Sequence, residues 1–302
     1  MKISKFKSTM FLAPFLVCFG LFWLAPFVYG IYMSLHKLSL TRGNMGFSGL
    51  HNFLDLFNSE SMYSEAFFLG LKNTVLFVLI SVPLLILVSL LLALLVDNLP
   101  KKVQGLFRTI FFLSYAVSVT SVSAIFVWLF SGNGGFINNT LVRMHIISQP
   151  IPWLEAQPFA WIVLVITTIW WTIGFNMMLF INALNGIDTA LYEASSIDGA
   201  NYWNQFKSIV FPSIKSVFAF VALTTIIASF NVYGQPQLIT KGGPTQSTKS
   251  LIMVIQQTIF DGNNLGMGTA MALVMGVVVM LFALAQNFLT REKKELKGDK
   301  QV

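Results

Sequence analysis

The chain has 302 residues, of which 55% are hydrophobic and only 10% charged, with 19 Lys or Arg against 12 Asp or Glu. A soluble globular chain carries about 25% charged residues to cover its surface, so this composition excludes a water-facing fold of the same length. It equally excludes a disordered chain and, with the single cysteine Cys18, a disulfide scaffold.

Six windows contain no Lys, Arg, Asp or Glu at all: 8–35, 73–96, 109–142, 156–187, 216–240 and 262–290. A helix needs about 20 apolar residues to cross the hydrocarbon core, at about 1.5 Å per residue. Each window is long enough for one crossing and too short for two. The expected fold class is therefore an all-α integral membrane protein with six transmembrane helices, near 11–34, 72–96, 107–131, 158–184, 214–234 and 267–290. A β-barrel is disfavoured because its strands alternate apolar and polar residues, whereas the run Val82–Leu92 is apolar on every side. The first window follows Lys2, Lys5 and Lys7, as a secretory leader would. Its apolar run from Met10 to Met33 exceeds the about 7–15 residues of a cleaved leader, which makes it an uncleaved first span.

Basic residues set the expected orientation. With the N-terminus inside, thirteen Lys or Arg lie on the cytoplasmic side, including Lys101, Lys102, Arg108, Lys207, Lys215 and the tail from Arg291 to Lys300. Only Lys37, Arg42, Lys72, Arg143, Lys241 and Lys249 lie outside. The positive-inside rule then puts both termini in the cytosol of a multi-pass plasma-membrane protein. The net charge of +7 reflects this topology and contact with anionic lipid, and calls for no nucleic acid. Three regions follow. Residues 1–66 form the N-tail, first transmembrane helix and first extracellular loop. Residues 67–290 form a core of five helices, and 291–302 a basic cytoplasmic tail.

The outer loops 35–71, 132–157 and 235–266 are punctuated by Asn133-Gly134-Gly135, Pro150-Ile151-Pro152 and Gly242-Gly243-Pro244, which read as turns rather than helices. Of the inner loops, 97–106 is short and 185–213 is built differently. Asp188 can cap a helix N-terminus, and Leu191, Ala194 and Ile197 then recur on one face. Gly199 stands where a left-handed C′ residue ends the helix. A second short helix carries Tyr202, Phe206 and Ile209 on one side and is expected to stop before Pro212, which disfavours helical geometry at Phe211. The segment 188–212 thus reads as an elbow on the cytosolic face that another protein could grip.

Those residues resemble the EAA loop of ABC importer permeases. Glu193-Ala194-Ser195, three residues, Gly199, nine residues, Ile209, one residue and Phe211-Pro212 follow the family's spacing, with Ser195 for Ala and Phe211 for Leu. Phe47-x-Gly49-Leu50-x-Asn52-Phe53, Lys72-Asn73-Thr74, Trp128, Phe130, Gly135, Asn138, Trp171-x-x-Gly174-Phe175-x-Met177 and Thr240-x-Gly242-Gly243-Pro244 with Ser247-Thr248 look like its maltose-type, carbohydrate-importing branch. Ser114 stands where that branch usually has a proline. The resemblance implies a type I ABC importer permease fold. It implies a second permease in a heterodimer, two cytoplasmic ATPase subunits, an extracellular solute-binding protein and a carbohydrate substrate. Glu193, Ala194, Ser195, Gly199, Ile209 and Pro212 would couple to the ATPase, with Glu193 meeting basic groups there. Pro212 also reads simply as the start of the next span. No Gly-x4-Gly-Lys-Ser/Thr phosphate loop occurs, so ATP hydrolysis falls to the partner and the chain is not itself an enzyme.

Polar and aromatic residues within the spans are the candidates for a transport route: Gly174, Phe175 and Asn176 in the fourth, and Ser229, Phe230, Asn231, Tyr233 and Gln235 in the fifth. An unpaired amide is costly in lipid, so these face protein or water. They either line the route or bond neighbouring helices together. Rings beside amides suit a sugar, whose C–H faces stack while its hydroxyls hydrogen-bond. His36, His51 and His145 share no metal-ligand spacing, and no cofactor or metal is expected. An ion-coupled secondary transporter of a neutral solute is the rival reading, although such proteins keep an ionisable residue within the membrane and the six windows hold none.

Overall fold

The computed structural model describes residues 5–290, with side-chain surroundings for 11–288. Lys2 and the basic tail 291–302 lie outside the described residues, as do the surroundings of Lys5 and Lys7, and the expected topology anchors with them. Among the described residues, five helices are long and apolar enough to cross a membrane: Phe11–Ser34, Met62–Asp97, Phe159–Leu184, Tyr202–Phe230 and Leu265–Phe288. A bent pair, Lys101–Ala116 with Val119–Leu129, passes the same test as one span.

The chain clusters into two compact units, Met1–Leu71 with Leu251–Val277, and Lys72–Ser250 with Val278–Val302. In the first unit, α1 (Lys5–Phe19) and α2 (Ala25–Ser34) join through a π-helical turn at Gly20–Leu24 into one lipid-facing span. Pro26 explains the turn: it lacks an N–H, and its ring clashes with an ordinary helical carbonyl, so the widened turn just before it lets the helix continue. The outer surface carries a ladder of Phe15, Phe19, Trp23 and Phe27, ring centroids 5.0–6.0 Å apart.

The loop beyond is more ordered than its sequence suggests. Strands β1 (His36–Ser39) and β2 (Gly43–Phe47) pair antiparallel, followed by α3 (His51–Phe57). The buried Asn52 amide donates to the carbonyls of Ser34 (2.7 Å) and His36 (3.2 Å), which ties hairpin and helix to the end of the span. α4 (Met62–Asp97) begins ten residues before the expected second span. In its first turns Phe67 is fully buried, as are Met253, Met267 and Met271 of the same unit.

In the second unit, α5 (Lys101–Ala116) and α6 (Val119–Leu129) replace the single third span expected from the apolar window, and they meet at 96°. Neither glycine nor proline marks this break. Val117 turns extended, and Ser118 caps α6 by accepting the Ser121 N–H. α7 (Phe136–Arg143) occupies a loop read as turns. There Asn138, almost fully buried, donates to the Ile151 carbonyl (2.9 Å) and accepts from the Trp153 indole (2.9 Å). α8 (Phe159–Leu184) is the central element, its Val163 and Leu164 packed with Phe77, Val122, Phe126 and Val232.

Next come α9 (Thr189–Ile197), α10 (Tyr202–Gln205), a π-helical turn at Phe206–Val210, and α11 (Phe211–Phe230). The expected stop before Pro212 does not occur. Phe211 is helical (φ −60°, ψ −44°) and its N–H reaches back five residues to Phe206, the same accommodation seen before Pro26. The fifth span therefore starts at Tyr202 rather than 214 and ends at Phe230 rather than 234. A further π-turn (Pro236–Thr240) and α12 (Leu251–Phe260) fill the last loop, and α13 (Leu265–Thr290) closes the described chain. These helices, and α7, correct the reading of the outer loops as turns alone. Gly and Pro there set the boundaries, while the residues between them carry enough apolar surface to fold.

Candidate functional site

Two features of the second unit carry the functional argument, an uncharged cavity among the spans and an exposed elbow joined to it by one helix. The elbow is built from local rules. Asp188 accepts the Ala190 N–H through its carboxylate at 2.9 Å, capping α9 as its sequence suggests. At the other end the Ala200 N–H reaches the Ser195 carbonyl (2.9 Å) and the Gly199 N–H reaches that of Ser196 (3.1 Å). This pair of bonds defines a Schellman ending, which needs a left-handed residue at C′. Gly199 supplies it, with φ +76°. A Cβ there would meet nothing within 4 Å, so the requirement is conformational rather than steric.

Asn201 caps α10 by accepting the Asn204 N–H at 2.9 Å. Gln205 then donates to the hydroxyls of Ser195 (3.0 Å) and Ser196 (3.2 Å), which locks the two arms together. Ser195, a departure from the family's alanine, thus has a structural partner in this chain. The face formed by Leu191, Ala194 and Ile197 is turned outward, with Ile197 87% and Tyr202 86% exposed. Glu193 is exposed beside them and enters no ion pair among the described residues. Ile209 is half-buried and Pro212 exposed, on the helix that leads into the span.

The inner side of α9 faces the end of α4 across a groove of about 730 Å³, lined by Leu91, Leu94, Asp97, Tyr192 and Phe206. Burial pushes the Tyr192 hydroxyl pKa up, and the nearby Asp97 carboxylate adds to the shift by opposing a second negative charge.

At the far end of α11 lies a cavity of about 450 Å³, within the range of small-ligand sites. One wall is aromatic. Tyr115 stacks on Phe175 with ring centroids 5.1 Å apart and lies 6.3 Å from Trp171. The other is polar, with Asn176 and Thr225 joined by a 3.0 Å hydrogen bond and Ser229, Asn231, Tyr233 and Gln235 beyond them. No Lys, Arg, Asp, Glu or His lines it. The break in the third span is one of its building elements, because the Trp171 indole donates to the Val117 carbonyl at 2.9 Å where the backbone turns.

The cavity gathers Phe175, Asn176, Ser229, Asn231, Tyr233 and Gln235 from the sequence-derived route. It does not include Gly174 or Phe230. A Cβ on Gly174 would collide with the Phe111 carbonyl, so this glycine lets α5 approach α8 closely, as small residues do between membrane helices. Phe230 is fully buried and packs edge-on against Phe282, with centroids 4.9 Å apart. Sequence reasoning missed Tyr115, Trp171, Thr168, Thr172 and Thr225 as lining residues. The spacing of four that links Thr168, Thr172 and Asn176, and again Thr225 and Ser229, places them on one helix face and was the available signal.

Apolar spans, an uncharged cavity among them and an outward-facing elbow define a membrane transport component. The family model described as binding-protein-dependent transport system inner membrane component matches residues 85–295, and the chain belongs to that family. It is accordingly the membrane component of such a system and not the one that hydrolyses ATP. It is 32% identical to the lactose transport system permease protein LacF of Rhizobium radiobacter, over 94% of each chain. It is also 30% identical, again over 94% of each chain, to the probable starch degradation products transport system permease protein AmyD of Thermoanaerobacterium thermosulfurigenes. Among solved structures, a chain of a bacterial ABC transporter that imports the acidic polysaccharide alginate shares the fold. Its TM-score is 0.81 at 22% identity, over 96% of both chains.

Proposed function

We propose that this chain forms one half of the membrane pore of an ATP-driven importer of a neutral sugar or oligosaccharide. Its cavity handles the sugar and its elbow receives the force. The carrying observation is the lining of the cavity, which pairs a wall of three aromatic rings with amides and hydroxyls and holds no charge. Stacking on C–H faces and hydrogen bonding to hydroxyls are what a neutral carbohydrate offers. The relatives named for lactose and for starch degradation products support the same substrate class.

Helix continuity supplies the coupling. From Tyr202 to Phe230 the second arm of the elbow and the fifth span form one helix of 29 residues, about 44 Å long at about 1.5 Å per residue. A tilt imposed at Trp203 moves Ser229 and the turn at Asn231 as a lever. In this reading Glu193, Ala194, Ser195, Gly199, Ile209 and Pro212 form the coupling surface. The outward apolar face of Leu191 and Ile197 seats in an ATPase subunit, and Glu193 meets its basic groups. Phe175, Asn176, Ser229, Asn231 and Tyr233 line the route, while Gly174 and Phe230 hold the helices that carry them. The full assembly contains a second permease, two ATPases and an external solute-binding protein. Both termini lie in the cytosol by the positive-inside rule.

The test is uptake by the complete transporter in proteoliposomes, comparing labelled neutral oligosaccharides with their uronate counterparts. The neutral sugars enter with ATP and the uronates do not. Equal entry of the charged sugars would contradict the assignment.

A further inference from the structure

The first unit contains a second polar cavity, of about 460 Å³, that the transport reading does not use. Its wall carries Lys37 and Arg42 from the hairpin, His51 and Asp55 from α3, and Asn263 from the turn before α13. His51 and Asp55 lie 3.5 Å apart, so the one carboxylate in the cavity already has a neighbour to pair with. Lys37 and Arg42 enter no ion pair among the described residues.

The surroundings of these cations point to a ligand. At about 100° per residue, α3 presents three faces. Asn52 and Leu56 are buried in the unit, and His51 and Asp55 face the cavity. Leu50, Leu54 and Phe57 form the third face and are 64–67% exposed. Phe68, itself half-buried, meets Phe57 edge-on with ring centroids 6.1 Å apart and extends this apolar patch. The patch lies in chain order between the first span and α4, both long and apolar enough to cross a membrane, and these short connections hold it near the bilayer surface. A short helix with an outward apolar face and a cationic flank is the arrangement of an interfacial segment. Its apolar face enters the acyl boundary and the flank rests at the depth of the outer-leaflet headgroups, where Lys and Arg pair with lipid phosphates.

We propose that this cavity seats the phosphate of an anionic phospholipid, held by Lys37 and Arg42, with Leu50, Leu54 and Phe57 against its acyl chains. The guanidinium supplies a two-pronged donor and the ammonium a point charge. Asp55 opposes the anion and tempers its binding. The site rests on membrane embedding and needs no carbohydrate.

The test is native mass spectrometry of the assembled transporter, released from nanodiscs with equal phosphatidylglycerol and phosphatidylcholine. The wild type retains phosphatidylglycerol preferentially. Replacing Lys37→Gln and Arg42→Gln together lowers that preference roughly tenfold, while Asp55→Asn raises it. No preference in the wild type, or an unchanged preference in the double variant, overturns the proposal. If the double variant keeps its lipid but loses stimulation by the solute-binding protein, the cavity takes an acidic side chain of that protein and the lipid assignment is wrong. A transporter that imports no sugar still shows or lacks the lipid preference, so the two readings fail separately.

Discussion

Asn176 of the fourth span donates its amide to the Thr225 hydroxyl of the fifth, 3.0 Å away, at the base of the uncharged cavity. The bond joins the helix that carries most of the aromatic wall to the helix that begins in the elbow. Interhelical bonds of this kind contribute about 0.6 kcal/mol and at most about 1.7 kcal/mol in membrane proteins. Thr225→Val removes the bond and keeps the shape, so thermal stability of the complex falls only slightly. Asn176→Ala removes the bond and an amide facing the cavity. Sugar uptake at sub-saturating concentration should drop about tenfold in the second variant and under threefold in the first, a group contacting substrate being worth about 1–3 kcal/mol. Transport assays paired with thermal unfolding separate the two effects.

Gly199 offers a cleaner test of the elbow. Its φ of +76° costs a residue with a Cβ about 1–2 kcal/mol, and the space around it is open. Gly199→Val should therefore leave the spans assembled but misdirect α10, sharply reducing ATP-driven uptake. Gly199→Asn, which tolerates left-handed geometry, should retain most of it. Uptake and ATPase rates of the two variants, measured side by side, check the difference.

Gly174→Ala should behave differently from every cavity variant. The added methyl meets the Phe111 carbonyl and lies 2.8 Å from the Phe112 Cα, both backbone and unable to swing aside. Overpacking of this kind costs about 1–3 kcal/mol or more. The expected outcome is a lower unfolding temperature and poor recovery of the complex, with unchanged sugar preference in whatever assembles.

Tyr192 gives the elbow a pH dependence at the alkaline end. Burial first, and Asp97 second, raise its folded pKa above the ordinary 10.0. A group whose pKa is raised by folding contributes stability that is fully present below the unfolded value and lost as pH rises through the folded one. The contact between α9 and the end of α4 should thus hold through neutral pH and loosen above about pH 10. Tyr192→Phe removes that alkaline loss, and Asp97→Asn reduces the shift without abolishing it, because burial is the larger cause. Tyrosinate absorbance, titrated as a difference between wild type and Tyr192→Phe, reports both.

The sequence was most legible where one residue decides its own surroundings. Asp188 accepts from the Ala190 N–H and Gly199 takes the left-handed position because capping chemistry is local. Apolar length located the spans for the same reason. What escaped was decided between elements. The break at Val117 is held by a Trp171 indole 54 positions away, and the sequence around it carries no charge, glycine or proline to mark it. Pro212 was misread because a π-turn at Phe206–Val210 absorbs its missing N–H. Gly174 and Phe230 sit in polar, cavity-lining stretches of sequence, yet their roles depend on Phe111 and Phe282. The hairpin at 36–47 depends on Asn52, which anchors it from the following helix.

The most direct test of the account joins elbow and cavity in one measurement. The complete transporter, with its ATPases and solute-binding protein, is placed in proteoliposomes and neutral oligosaccharide uptake is followed for wild type and Gly199→Val. Uptake that requires ATP, saturates with sugar and is lost in the variant is the expected result. Uptake that persists in the variant without ATP and follows an imposed proton gradient would contradict it.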